Sequence, residues 1–213
     1  NQCVAQKSNF DNKYKFKKGD YNGIGKWYMG REIAHVMGYQ GIDWLERSER
    51  EKEENVSNLI ENMGIKPADT IADIGAGSGY HVFRMAPLAN NGLIYAVDIQ
   101  VEMLMEIENT KQFNKINNVE FFTGDLFKSD NNWSNLKCNK LLLDPARSGA
   151  LEVVSNIELF NAKKIVYVSC HPGTLARDTD ILVNEKKYTL DTAGIIDMFP
   201  HTSHVESIAL FSK

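Results

Sequence analysis

The run Thr70-Ile71-Ala72-Asp73-Ile74-Gly75-Ala76-Gly77-Ser78-Gly79-Tyr80 decides how the rest of the chain is read. An apolar stretch ends in an acid, three glycines alternate with small residues, and a helical pattern then begins. That order predicts a strand, a tight turn and a helix N-terminus. Glycine lets the backbone take positive φ and lets a ligand approach it closely, while a helix start offers unpaired N–H groups. The spacing is D-x-G-x-G-x-G and not the G-x-G-x-x-G of dinucleotide binders, which sets aside a nicotinamide oxidoreductase. Taken alone, such a loop can also be a plain β-turn.

Working outward toward the C-terminus, Val82, Phe83, Met85, Ala86 and Leu88 predict the first core helix. The second strand, Gly92 to Asp98, again ends in an acid. In an open parallel sheet, ligands lie beyond the carboxyl ends of the strands. A carboxylate there can accept both hydroxyls of a ribose and repels a phosphorylated one; its other reading is a helix cap. Val101–Phe113 is the next helix, Asn118–Thr123 the third strand with its loop Gly124-Asp125-Leu126, and Asp130–Asn135 a polar loop. Lys140–Asp144 is almost wholly apolar, as a strand buried on both faces should be. A helix over Leu151–Phe160 and a strand over Lys164–Cys170 follow, and Pro172 opens a helix running to Val183. Tyr188–Ile196 and Ser207–Phe211 predict two final strands. The alternation predicts an α/β fold with a doubly wound, Rossmann-like sheet closed by a terminal antiparallel hairpin.

Toward the N-terminus, residues 1–25 are polar and rich in Lys and Asn, with Phe10, Tyr14, Phe16 and Tyr21 interspersed. They read as an irregular arm. From Trp27 to Trp44 the pattern is helical, interrupted by Gly30, Gly38 and Gly41, and His35 reads as a structural residue on that helix. Asp43–Glu51 reads as a charged, solvated face. Asn55–Met63 is amphipathic, with Val56, Leu59 and Ile60 on one side; Gly64 is its C-cap and Pro67 its stop. These features predict an arm with a helical N-terminal extension over residues 1–65 and the sheet domain over 66–213.

The formal net charge of -4 gives no global basic footprint, so contact with a nucleic acid needs a local patch. Cys3, Cys138 and Cys170 contain no C-x-x-C pair, which excludes a self-contained four-thiolate iron–sulfur cluster and argues against a disulfide framework. No apolar run approaches a membrane span. The chain begins at Asn1 and not at Met, which leaves a removed targeting segment open.

The segment Asp73-Ile74-Gly75-Ala76-Gly77-Ser78-Gly79-Tyr80 resembles motif I of the class I S-adenosylmethionine (SAM) methyltransferases. The resemblance implies SAM as cofactor, with its methionine end over Asp73, Gly75, Ala76, Gly77, Gly79 and Tyr80. It further implies Asp98 on the ribose with Ile99 beside it, and Asp125 and the Leu126 backbone at the adenine. Three later stretches, LLLDPARSGA, IVYVSCHPGTLARD and DMFPHTSHVESIALFSK, closely resemble the end of the bacterial RNA uracil-5-methyltransferases that act on 23S ribosomal RNA, over residues 117–213 or so. That likeness implies Cys170 as nucleophile, Glu206 as base, and Asp144 as the group that orients the uracil or the methionine end of SAM. Arg147 would hold a phosphate or pair with an acid. It also implies ribosomal RNA as partner, a cytoplasmic setting and no metal, since His201, His204 and Glu206 fall in a loop the resemblance already explains. The chemistry suits the residues, because carbon 5 of uracil is a poor nucleophile until a thiolate adds to carbon 6 and a base later removes the carbon 5 proton. From the residues alone, a buried strand thiol and a salt-bridged Glu are the other readings.

Several departures accompany the likeness. The family usually has Asn after the nucleophile, here His171, and Asn where Tyr80 stands. Its upstream Phe-Gln-Val-Asn segment, its N-terminal RNA-binding barrel and its cluster cysteines find no match. The stretch GIGKWYMGREIAHVMG instead looks like the leader of small bacterial class I methyltransferases, so the sequence predicts a composite chain joined near Thr110–Asn117. Two rival functions follow: methyl transfer to a small molecule or protein with Cys170 idle, and a non-catalytic SAM-binding module. A basic patch formed by Arg147, Lys163, Lys164 and Arg177 is the expected mark of RNA binding.

Overall fold

A computed structural model of the chain describes residues 14–20, 23–28, 30–35, 37–125, 128, 136–196 and 205–213. It divides into two compact units, Asn1–Val36 and Met37–Lys213. In the first, strands β1 (Tyr14–Phe16), β2 (Gly23–Tyr28) and β3 (Arg31–Ala34) form an antiparallel sheet in the order β1-β2-β3. This corrects the helix expected from Trp27, and part of the arm expected to be irregular is strand as well. Gly25 and Gly30 sit at φ +72° and +83°, conformations that serve turns and bulges and not a helix interior. The Glu32 carboxylate then gathers the loop by accepting from the N–H groups of Asp20 at 2.7 Å and Gly25 at 2.9 Å. Trp27 donates its indole N–H to the Lys17 carbonyl at 3.2 Å. His35 lies after β3 and is exposed.

The second unit carries three short helices, α1 (Ile42–Leu45), α2 (Arg50–Glu54) and α3 (Val56–Met63). After them come β4 (Thr70–Ile74), α4 (Val82–Met85), β5 (Leu93–Asp98), α5 (Val101–Phe113), β6 (Val119–Thr123) and β7 (Lys140–Leu143). The chain continues through α6 (Leu151–Ser155), β8 (Lys164–Ser169), α7 (Pro172–Asp180), β9 (Thr189–Ile196) and β10 (Glu206–Ser212). Between α7 and β9 a wider turn of π-helix spans Ile181–Glu185. The seven strands stand in the order β6-β5-β4-β7-β8-β10-β9, parallel except for β10, which runs antiparallel to both neighbours. The expected doubly wound sheet with its terminal hairpin is therefore present.

Alternate residues of the central strands go to opposite faces, as the pleat requires. Ile71, Ile94, Leu142 and Val166 pack with Val56, Ile60 and Met63 of α3, Met85 of α4, and Leu104 and Ile107 of α5. On the other face Ala72, Leu141, Leu143, Ile165 and Tyr167 pack with Val153 and Val154 of α6, Leu175 of α7, and Ile181 and Leu182. Each such aliphatic side chain removed from water stabilises the fold by ~1.5–3 kcal/mol. Because α3 buries its apolar face in this core, it belongs to the same compact unit as the sheet. Gly64 ends it in the left-handed conformation, at φ +57°, as a C-cap glycine does. At the opposite end of the strands Lys140 and Asp69 form a buried ion pair at 2.5 Å, with Gly64 O also accepting from Lys140. Burial would raise the Asp69 carboxyl, but bonds from Lys140, the Lys66 N–H and Asn139 outweigh it and hold the acid below its usual range.

Candidate active site

Strands β4, β5 and β6 succeed one another in one direction across the sheet and β7 and β8 in the other, so the connection reverses between β4 and β7. Such a switch point opens a crevice at the carboxyl ends of the strands. The glycine loop after β4 lies in it. The Gly75 and Ala76 N–H groups both donate to the Val97 carbonyl, at 2.9 and 3.0 Å, which ties the loop to β5. At Gly75, φ is +89°, and a Cβ there would stand 2.5 Å from the Asp144 carbonyl oxygen at the end of β7. The two loops can meet only because that position has no side chain.

Asp98 closes the far side of the crevice, accepting from the Gly77 N–H and the Gln100 N–H, each at 2.9 Å. One bond to each oxygen leaves further lone pairs for a diol. The Gly124 N–H donates to the Asp98 carbonyl at 2.9 Å, which brings the loop of Asp125 alongside. Asp125 pairs with Lys128 at 3.2 Å, and Ile99 is exposed. Leu126, Asp130–Asn135, His201 and His204 lie outside the described residues, as does Cys3.

Asp73 is fully buried, and neither carboxylate oxygen has a hydrogen-bond partner. Burial, and then the charges of Asp144 and Asp98, push its pKa well above the usual range. A buried acid without partners is costly and suits a site that awaits a cationic ligand. The Tyr80 ring does not face the crevice as a free group: Arg50 covers it at 4.1 Å and Arg84 at 3.4 Å.

The second half of the crevice gathers Asp144 after β7, Cys170 after β8 and Glu206 at the start of β10. Antiparallel pairing of β10 with β8 places Ser207 opposite Ser169, so Glu206 and Cys170 emerge side by side. Burial, with the Glu206 and Asp144 charges, pushes the Cys170 thiol up to about 11, against which the Arg147 charge and hydrogen bond act. Burial and the Asp144 and Glu54 charges raise Glu206 to about 7, with Arg147 opposing. Asp144 reaches about 6 through burial, which Arg50 opposes and Glu54 reinforces. These groups sense one another, which is the arrangement expected where acid–base chemistry is set.

His171 explains one departure from the family pattern. Its Nδ1 accepts from the Thr174 N–H at 3.2 Å and caps α7, a task that Asn also performs. Sequence reading missed Arg50 and Glu54. The run Asp43–Glu51 is not a purely solvated face, because Arg50 is 6% exposed and bonds to Glu54 at 2.7 Å and to the Leu45 carbonyl at 2.9 Å. Their spacing of four residues along one helix was the signal. The expected basic patch is also corrected, since Arg177 is buried in an ion pair with Asp178.

The family model described as tRNA (uracil-5-)-methyltransferase matches residues 96–213. The chain belongs to the tRNA (uracil-5-)-methyltransferase family. It is 42% identical over 180 residues to the 23S rRNA (uracil(1939)-C(5))-methyltransferase RlmD of Francisella tularensis subsp. novicida, covering 83% of this chain and 40% of that protein. The RlmD of Legionella pneumophila is 44% identical over 160 residues, covering 74% and 36%. The chain thus spans less than half the length of these relatives. Matches of this extent, and a family model that begins at residue 96, run across Thr110–Asn117 and overturn the expected junction between two unrelated halves there. Among solved structures the chain is similar in fold to a SAM-dependent methyltransferase from Aquifex aeolicus, with TM-score 0.63, 13% identity and coverage of 82% of this chain and 99% of the other. It is also similar to M. jannaschii TYW2 in complex with AdoMet, with TM-score 0.58, 15% identity and coverage of 94% and 87%. The fold is that of the class I methyltransferases.

Proposed function

We propose that the chain is the methyl-transferring part of an enzyme that methylates carbon 5 of a uridine in 23S ribosomal RNA, using SAM, in the cytoplasm. The observation that carries this reading is the cluster of Cys170, Glu206, Asp144 and Arg147 at the carboxyl ends of β7 and β8 and the amino end of β10, beside the glycine loop.

The residues present fit SAM. Asp73 offers a buried, unpartnered carboxylate to the ligand's cationic end, the loop of Gly75, Ala76, Gly77 and Gly79 would pass beneath that end, and Asp98 offers lone pairs to the ribose. Ile99, Asp125 and Leu126 would frame the adenine. Bound SAM supplies an electrophilic methyl group. The protein does the rest. Cys170, as thiolate, adds to carbon 6 of the uracil and converts the 5,6 double bond into an enolate, which makes carbon 5 nucleophilic. Arg147, bonded to the thiol, favours the ionised sulfur that burial opposes. Asp144 holds the ring. Once carbon 5 carries the methyl group, Glu206 as carboxylate removes the remaining carbon 5 proton, the double bond returns and the Cys170 sulfur leaves.

The test is a covalent trap with SAM and a 23S RNA fragment bearing 5-fluorouridine, in which fluorine cannot leave as a proton. A denaturation-resistant adduct, lost in Cys170→Ala, is the expected result. No adduct from protein that still binds SAM would overturn the uracil reading and favour a small-molecule or protein substrate.

A further inference from the structure

The turn that carries Arg147 is held by side chains that do not themselves reach Cys170. Asp178, with no exposed surface, accepts at one oxygen from the Ala150 N–H at 2.8 Å and from the Tyr167 hydroxyl at 2.6 Å. Arg177 donates to its other oxygen at 2.7 Å and reaches the Ser148 carbonyl at 3.0 Å. The Thr174 hydroxyl stands between two carbonyls, 3.1 Å from that of Arg147 and 3.0 Å from that of His171. Three backbone groups of one turn, at residues 147, 148 and 150, are thus tied to α7 and β8. Gly149, at φ +78°, lies against this bracket, and a Cβ there would meet Arg177 Nη2 at 2.6 Å and Asp178 Oδ2 at 2.7 Å.

A buried ion pair is a poor source of stability, because desolvation consumes most of its Coulombic gain. What it supplies is one geometry. The charged groups acting on the Cys170 thiol are Glu206 from β10 and Asp144 and Arg147 from the turn after β7; Arg147 is the cation among them. The neighbouring His171 turns its Nδ1 to the Thr174 N–H. We propose that Asp178, together with Arg177, Thr174 and Tyr167, is a positioning group that fixes the 147–150 turn so that the Arg147 guanidinium stays on the Cys170 sulfur. Its purpose rests on Cys170 being the nucleophile.

The test reads the sulfur's surroundings without needing methyl transfer. Cys170 is alkylated in the folded protein with neutral iodoacetamide or anionic iodoacetate and followed by peptide mapping. Both reagents consume the same thiolate, so their rate ratio reports the local positive charge and not the degree of ionisation. Thr174→Val and Asp178→Asn are expected to lower the iodoacetate-to-iodoacetamide ratio about fivefold, as is Arg147→Ala. Adding Thr174→Val to Arg147→Ala should change nothing further. Folded variants that melt earlier yet keep the wild-type ratio would overturn the proposal. Should Asp178→Asn not fold, Thr174→Val and Tyr167→Phe decide it in the same way. A lowered ratio together with no 5-fluorouridine adduct in the wild type would sink the uracil reading and leave the positioning role standing.

Discussion

Asp73 sets function against stability in a single side chain. Its carboxylate is fully buried and unpartnered, with a pKa raised well above 3.8 by burial and by Asp144 and Asp98. Below 3.8 the acid is protonated in folded and unfolded chains alike and makes no pH-dependent contribution. As pH rises the unfolded chain ionises first, so stability falls until the folded acid ionises too. Asp73→Asn is therefore expected to raise the melting temperature at pH 8, with a smaller gain at pH 5, and to lose most SAM affinity. Melting curves and calorimetric titration at the two pH values check both halves. Glu206 gives a second expectation. Its acid form dominates below about 7, so single-turnover release of free 5-methyluridine should fall as pH drops through that value. Glu206→Gln should fail to release product across the range and hold the methylated RNA on Cys170.

At the scale of elements, burial decides what each substitution costs. Ile60 of α3 is 5% exposed and packs on the sheet, so Ile60→Ala should destabilise by ~2–4 kcal/mol. Asp69→Ala would strand Lys140 without its partner in the core, at a cost of ~3–5 kcal/mol; urea unfolding measures both. The same scale shows where sequence was readable. The three leucines of β7, Leu141–Leu143, the glycine loop and the amphipathic α3 each carry a local pattern that the structure follows. The stretch 23–34 does not. Its glycines break a helix as readily as they build a hairpin, and the choice falls to Glu32, whose carboxylate gathers backbone N–H groups that no periodicity reveals. Arg50 escaped for a related reason: a charged residue in a charged run reads as solvated until the fold places it over Tyr80.

For the whole molecule, the strand order was legible because alternating strands and helices admit few topologies. Three of the four clustered site groups, Asp144, Cys170 and Glu206, were legible because the motifs that carry them, each beside the end of a predicted strand, resemble those of a known family. Arg147 was visible, but its bond to the thiol depends on a turn held from α7. A ligand that fills the crevice binds only the folded chain, so SAM at about 100 times its dissociation constant should add ~2.7 kcal/mol to global stability. A thermal shift that is absent in Asp98→Ala would confirm where that energy enters. The position of β10 has a further consequence. It lies between β8 and β9 yet follows both in the chain, so a growing polypeptide delivers its outermost strand before the strand that seats it. Until residues 206–212 are synthesised, β9 has no neighbour to pair with and the site lacks Glu206. Maturation of the sheet's edge and assembly of the catalytic cluster are therefore one late event, and a nascent chain stopped short of β10 should lose both together.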